Sequence, residues 1–136
     1  MTTLQKNTKY CLESDFIIAL LSGKDNAVQC YEEIKNAPLA VTAITSVTLF
    51  EILRGEEQNE SKIQKFEELR QKLEVLVFGE REAEEASQIE KQIRQNGFTI
   101  EIDDLLIGAT AKMNVAILVS NDSDYQRIDG LQLKNY

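Results

Sequence analysis

The amino-acid sequence predicts an α/β fold of three layers, in which helices cover both faces of a central parallel sheet of four or five strands. Short apolar stretches alternate with helical patterns along the chain, and this alternation is typical of parallel strands joined by right-handed crossovers. Apolar strands of this kind are expected where a sheet is buried on both faces. We expect residues 1–136 to form a single domain, since this length suffices for one hydrophobic core.

Five stretches are rich in apolar or β-branched residues, and we predict that they are strands. Pro38 separates the second stretch from the helical pattern before it, because proline cannot continue a helix. The last stretch is expected to be an edge strand. The predicted strands are residues 10–13, 39–44, 75–78, 115–119 and a stretch near 131–133.

Helical patterns fill the intervals between these strands. Ser14 or Asp15 is the predicted N-cap of the first helix, which ends at Gly23, and Thr45 or Ser46 is the predicted N-cap of the third. The helix at residues 105–111 is apolar nearly all round and is therefore predicted to be buried. The other predicted helices are residues 15–23, 27–35, 45–54, 63–73, a helix with Ala83, Ala86, Ile89 and Ile93 facing inward that ends at residues 96–97, and a short one at 122–128.

The chain has no histidine, which excludes several classes of enzyme. Ser-His-Asp hydrolases, HExxH zinc peptidases and nucleases that use imidazole as acid and base all require it. Two cysteines, Cys11 and Cys30, are too few for a zinc site or a disulfide framework and are predicted to be buried thiols. Any catalysis must therefore use carboxylates, hydroxyls, lysine or a bound ion.

The net charge of −8 argues against a general nucleic-acid binder, because phosphate backbones favour clustered Lys and Arg. The acid is unevenly spread, however: 11 of the 23 carboxylates lie in residues 56–90, so a local basic surface elsewhere is possible. No apolar run approaches the ~18 residues of a membrane span, and residues 1–9 are polar rather than a signal peptide. We expect a cytoplasmic protein.

Carboxylates occur at four places just beyond a predicted strand or inside an otherwise apolar helix. In parallel sheets, binding sites form outside the carboxyl ends of the strands, so these acids are expected to converge. Converging carboxylates raise one another's pKa unless a hard divalent cation neutralises them, and oxygen-only ligands favour Mg²⁺ or Mn²⁺. Such an ion suits phosphodiester hydrolysis. The four places are Glu13 with Asp15, Glu51, Asp103 with Asp104, and Asp122 with Asp124.

Each of these acids also has a purely structural interpretation. Glu51 lies among apolar neighbours, where an unpaired carboxylate is costly, but it could face solvent or pair with Arg54 on the same helix. Asp104 and Asp122 could be no more than helix caps. The metal-site interpretation therefore depends on the four places being considered together.

Four strings of the sequence resemble, in order and spacing, the motifs of PIN-domain proteins, especially the VapC toxins of prokaryotes. They span nearly the whole chain, and the resemblance implies a PIN-like three-layer fold. The strings are CLESDFIIALLSG at residues 11–23, ITSVTLFEILRG at 44–55, IDDLLIGATA at 102–111 and LVSNDSDY at 118–125.

The resemblance implies roles for four carboxylates as catalytic residues and metal ligands. Glu51 matches the glutamate of the second motif, Asp104 the central aspartate of the third, and Asp122 the acid after the last strand. Glu13 stands where the first motif usually has aspartate, and its additional methylene moves the carboxylate in a site whose Mg²⁺ demands near-ideal octahedral geometry.

The resemblance also implies auxiliary residues. Glu13 could reach the ion with altered geometry, or Asp15 could substitute for it. Glu101 resembles an acid seen near the third motif, and Thr45 or Ser46 would supply a hydroxyl beside the metal. The full auxiliary set is Asp15, Thr45, Ser46, Glu101, Asp103 and Asp124.

By this resemblance, we expect a Mg²⁺-dependent, or Mn²⁺-dependent, endoribonuclease that cleaves structured RNA as the toxin of a toxin–antitoxin pair. The resemblance further implies a homodimer and a VapB-like antitoxin whose C-terminal segment places a basic side chain in the acidic pocket. We expect no membrane partner.

Two other functions stay open on the sequence alone. A weakened or inactive PIN module could hold an antitoxin or RNA without cutting it, because Glu13 departs from the first motif. A phosphohydrolase of the haloacid-dehalogenase type would also combine a parallel sheet with Mg²⁺. That class needs an Asp-x-Asp pair on the first strand, however, and Glu13-Ser-Asp15 lacks its first member.

Overall fold

The computed structural model describes residues 7–55 and 59–136, so residues 1–6 and 56–58, with the acids Glu56 and Glu57, lie outside it. It contains a five-stranded sheet in the order β3-β2-β1-β4-β5, and every neighbouring pair is parallel. This confirms the predicted α/β class. The strands are β1 (Thr8–Leu12), β2 (Ala40–Thr45), β3 (Glu74–Leu76), β4 (Ile117–Val119) and β5 (Gln132–Lys134).

Helices on both faces of the sheet make the three layers. The helices are α1 (Ser14–Leu21), α2 (Asp25–Asn36), α3 (Ser46–Gly55), α4 (Glu60–Arg70), α5 (Glu80–Gln95), α6 (Ile102–Met113) and a 3-10 helix (Ser123–Arg127). Because side chains alternate along a strand, Cys11 and Leu118 pack with α5 and α6, whereas their neighbours Leu12 and Val119 pack with α1, α2 and α4. All four side chains are fully buried.

The order of the strands defines where a site can form. The chain runs outward from β1 through β2 to β3 and then returns to place β4 on the other side of β1. The carboxyl ends of β1 and β4 therefore flank the switch point, where α/β sheets open a crevice. Glu13 follows β1 and Ser120 follows β4, and the Glu13 backbone N–H donates to the Val119 carbonyl at 3.3 Å.

Most element boundaries shift by one to three residues from the sequence prediction, and three of these shifts change where a side chain lies. The third strand ends at Leu76 rather than residue 78, and Val77 is 65% exposed at this sheet edge. The fourth starts two residues later than predicted, because Val115 has a positive φ of 53° in the turn that closes α6. Helix α4 ends at Arg70, so Leu73 is buried in the following turn and not in a helix.

Both cysteines are buried free thiols, as predicted. Burial raises the pKa of Cys11 to about 12, so this thiol stays protonated and unreactive near neutral pH. In the part of the chain that the structure describes, no helix is both long and apolar enough to cross a membrane.

Candidate metal centre

Glu13 is the N-cap of α1, where the sequence had suggested Ser14 or Asp15. Its Oε1 accepts a hydrogen bond from the Asp15 backbone N–H at 3.0 Å, and its Oε2 accepts one from the Ser120 hydroxyl at 3.1 Å. The side chain is only 5% exposed. Burial raises the pKa of Glu13 to about 7, assisted by the charges of Asp15 and Asp104 and opposed by these two hydrogen bonds. The negative charge of Glu13 is therefore unfavourable by itself, and either a proton on the carboxylate or a cation beside it would stabilise the site.

Asp104 does not cap its helix. Glu101 is the N-cap of α6, which places Asp104 in the first turn, where its Oδ1 accepts a hydrogen bond from the Tyr125 hydroxyl at 3.1 Å. Burial raises the pKa of Asp104 to about 6, the Tyr125 hydrogen bond lowers it, and the charges of Asp103, Asp122 and Asp124 raise it further. The capping interpretation is thus wrong for this residue.

Asp104, Asp122 and Asp124 form a triad in which one oxygen of each lies within 4.8 Å of the others. Oxygens on opposite sides of a Mg²⁺ ion are about 4.2 Å apart, twice the usual ligand distance, so small movements would bring these three onto one ion. The donor set is oxygen only, which suits Mg²⁺ or Mn²⁺. The residues present therefore fit a hard divalent cation.

Asp122 belongs to the triad and is also a helix cap, the role considered from the sequence. Its Oδ1 accepts a hydrogen bond from the Asp124 backbone N–H at 2.9 Å and caps the 3-10 helix. Its own backbone N–H donates to the Ser120 hydroxyl at 3.0 Å. The Asp124 carboxylate lies 3.4 Å from the Arg127 guanidinium. Local hydrogen bonds thus hold Asp122 in place, and an ion pair restrains Asp124.

Glu51 lies beside the triad and not within it. Its Oε1 accepts a hydrogen bond from the Ser14 hydroxyl at 2.6 Å. Burial raises the pKa of Glu51, and a contact with Asp103 raises it further. Arg54 instead lies over the Phe50 ring at 5.9 Å. The structure thus places Glu51 at the rim of the acidic pocket, close to Asp103.

The remaining auxiliary residues have structural roles or lie apart. The Thr45 hydroxyl accepts a hydrogen bond from the Thr48 backbone N–H at 3.0 Å and caps α3. The Ser46 hydroxyl accepts one from the Phe78 backbone N–H at 3.2 Å. Glu101 is exposed and makes no capping hydrogen bond with its side chain. That either hydroxyl or Glu101 acts at the metal stays a prediction.

Sequence reasoning missed three residues that hold the acids: Ser14 for Glu51, Ser120 for Glu13, and Tyr125 for Asp104. The signal for the serines is position, since each lies directly beside a strand end that carries an acid. The signal for Tyr125 is weaker, because only the rule that a buried phenol needs a hydrogen-bond partner points to it.

A family model of the PIN domain matches residues 10–131, so the chain belongs to the PIN-domain family, whose members are generally nucleases. This membership decides against a phosphohydrolase of the haloacid-dehalogenase type. Comparison with curated proteins finds no match.

Within the family the chain is VapC-like, because its structure resembles chains found in crystal structures of VapBC toxin–antitoxin complexes. VapBC2 from Rickettsia felis, bound to a DNA fragment from their promoter, is 25% identical over 95% of this chain and 99% of that chain, with a TM-score of 0.83. VapBC-1 from nontypeable Haemophilus influenzae is 23% identical over 94% and 98%, with a TM-score of 0.80. DNA-bound VapBC from Salmonella typhimurium is 21% identical over 94% and 98%, with a TM-score of 0.79.

Proposed function

We propose that this protein is the toxin of a VapBC-type module and a Mg²⁺- or Mn²⁺-dependent endoribonuclease that cleaves structured RNA. The observation that carries the proposal is the triad of Asp104, Asp122 and Asp124 beside the buried carboxylate of Glu13, at the switch point of the sheet. Such a concentration of acid is unfavourable without a cation.

The ion would be held by triad oxygens together with Glu13, and when bound it supplies an activated water and shields negative charge on the reacting phosphate. The chain's own residues orient that site. Ser120 bridges Glu13 to the backbone of Asp122, which ties the end of β1 to the 3-10 helix. Ser14 holds Glu51 at the rim, where its carboxylate can meet a second ion or an incoming basic group.

A VapB-like antitoxin is the proposed partner. An apolar groove of about 370 Å³ lies between α1, α3 and α4 and reaches Glu51; among its lining residues are Ile18, Leu21, Ile52 and Ile63. A peptide seated there could direct a basic side chain at the acidic pocket, which is a favourable charge-assisted contact.

A homodimer is proposed through the cleft between α3 and α6. Phe50 and Ile102 flank this cleft of about 730 Å³ and are 60% and 63% exposed. Exposed apolar side chains of this size are unusual on a monomer surface when they lie together. Sedimentation of the purified chain would test the dimer.

The test of the activity is cleavage of a folded RNA by the purified chain with Mg²⁺ or Mn²⁺, followed by chelation with EDTA. We expect cleavage that disappears with EDTA and with Asp104→Asn. Absence of cleavage in the wild type, together with absence of Mg²⁺ binding by calorimetry, would refute the proposal.

A PIN module that binds without cutting is the second candidate, and the geometry of Glu13 favours it specifically. Both carboxylate oxygens of Glu13 accept hydrogen bonds from the chain itself, which leaves this residue less free to follow a metal ion. If the wild type binds Mg²⁺ but does not cleave, and Glu13→Asp does cleave, this second candidate is correct.

A further inference from the structure

The carboxylates of the triad share a feature that the metal site alone does not require. Each has one oxygen engaged by another group of the chain. Asp104 Oδ1 accepts a hydrogen bond from the Tyr125 hydroxyl at 3.1 Å and Asp122 Oδ1 one from the Asp124 backbone N–H at 2.9 Å, while Asp124 Oδ1 forms an ion pair with Arg127 at 3.4 Å. The second oxygen of each carboxylate remains for a ligand.

Tyr125 donates from a buried position. Its ring is fully buried in the core shared by α5, α6 and the sheet. Gly108 lies beside it: a Cβ there would overlap the Ile128 side chain, whereas the Tyr125 ring would stay at an ordinary contact distance of 3.6 Å. Burial limits the movement of the ring, and its hydroxyl donates to Asp104.

The number of free carboxylate oxygens matters because hard cations differ in their use of carboxylates. Mg²⁺ demands near-ideal octahedral geometry at about 2.0–2.1 Å, whereas Ca²⁺ takes six to eight oxygens at about 2.3–2.6 Å and accepts bidentate carboxylates. A hydrogen bond to one oxygen makes that oxygen the weaker metal ligand and favours ligation through the other oxygen alone, which suits the smaller ion.

We propose that Tyr125 is a positioning residue that sets metal specificity: by holding Asp104 Oδ1, it confines Asp104 to one-oxygen ligation and so disfavours Ca²⁺ relative to Mg²⁺. The inference rests on the metal site of the proposed function. It gives the Tyr125 hydroxyl a role of its own, because the ring could fill the core without the hydroxyl. In Tyr125→Phe the ring is retained and only the hydroxyl is lost, which frees Oδ1 for bidentate contact.

The experiment is calorimetric titration of the metal-free full chain with Mg²⁺ and, separately, with Ca²⁺ at about pH 8.5, well above the ordinary pKa of a carboxyl group. We expect the ratio of Ca²⁺ affinity to Mg²⁺ affinity to rise about five-fold in Tyr125→Phe, the equivalent of one net hydrogen bond. The matched control is Tyr31→Phe, which removes a phenol on α2 outside the acidic pocket, and its ratio should stay at the wild-type value.

Two outcomes would overturn the inference. An affinity ratio that does not rise, whether or not both affinities fall, would show that the phenol supports the site without selecting the ion. Wild-type protein that binds neither ion would overturn the metal site itself, and with it the proposed function, so the two failures are distinguishable.

A second measurement keeps the test independent of how Tyr125→Phe folds. The separation of the two carboxylate stretching bands in the infrared spectrum is smaller for bidentate than for monodentate ligation. In wild-type protein labelled with ¹³C-aspartate and loaded with Ca²⁺, we expect no bidentate band from Asp104. A bidentate band that is present in the wild type and absent from Asp104→Asn would overturn the inference.

Discussion

Metal-free protein should become less stable as the pH rises from about 5 to about 8, and Glu13 should dominate this loss. Folding raises the pKa of Glu13 from the ordinary 4.5 to about 7. The folded state therefore binds a proton more tightly than the unfolded state between these values. Stability is fully present below the unfolded pKa and is lost as the pH rises through the folded one.

The size of the loss follows from the shift. A difference of about two and a half pKa units is worth about 3 kcal/mol at 1.36 kcal/mol per unit, and this side chain is too buried for solvent to screen much of it. The raised pKa of Asp104 acts in the same direction. The lowered pKa of Glu82 has the opposite sign, but its effect falls below about pH 4.5, outside this window.

Urea denaturation in EDTA at about pH 5 and about pH 8 measures the difference in free energy of unfolding. We expect Glu13→Gln, which keeps the shape of the side chain, to remove most of it. Glu82→Gln is the matched control: Glu82 is also buried and accepts a backbone hydrogen bond from Gly79, so its loss should lower stability at both pH values alike. A wild-type protein that is equally stable at both, or more stable at the higher pH, would refute the reasoning.

Three further predictions concern single side chains. Gly108→Ala should lower the free energy of unfolding by about 2 kcal/mol through overpacking against Ile128; denaturation that matches the wild type would contradict the close packing. Ser14→Ala should slow RNA cleavage while lowering stability by only about 1 kcal/mol, the net worth of the hydrogen bond that it donates to Glu51, so an unaltered cleavage rate would remove Ser14 from the site. Asp104→Asn should raise the melting temperature of metal-free protein at about pH 8, since it relieves repulsion between carboxylates. The same variant should lose the increase in melting temperature that Mg²⁺ produces in the wild type. If Mg²⁺ still raises the melting temperature of the variant, Asp104 is excluded as a ligand.

The strand–helix order was predictable because it depends on local patterns. The run at residues 115–119 is apolar enough to indicate a strand, and the helix at residues 105–111 is apolar nearly all round, so neither needed tertiary information. The boundaries were less predictable. Val115 has the composition of a strand but lies in a turn with positive φ, because α6 must close before β4 can begin.

The convergence of acids at the switch point was predictable from parallel-sheet geometry, but the membership of the triad was not. Asp104, Asp122 and Asp124 form it, and the charge of Asp104 acts on the nearby Glu13. The final position of each carboxylate depends on partners that are distant in sequence. Glu51 accepts a hydrogen bond from Ser14, and Asp124 lies in the triad with Asp104. A hydroxyl such as that of Tyr125 carries no sequence signal of the carboxylate it will meet.

The hydrogen bond between Ser120 and Glu13 joins residues 107 positions apart. An acidic site closed by such a contact cannot form on a growing polypeptide until residues 120–125 have left the ribosome. Before that moment the proposed nuclease lacks its site, and an antitoxin already present has this interval in which to be in place.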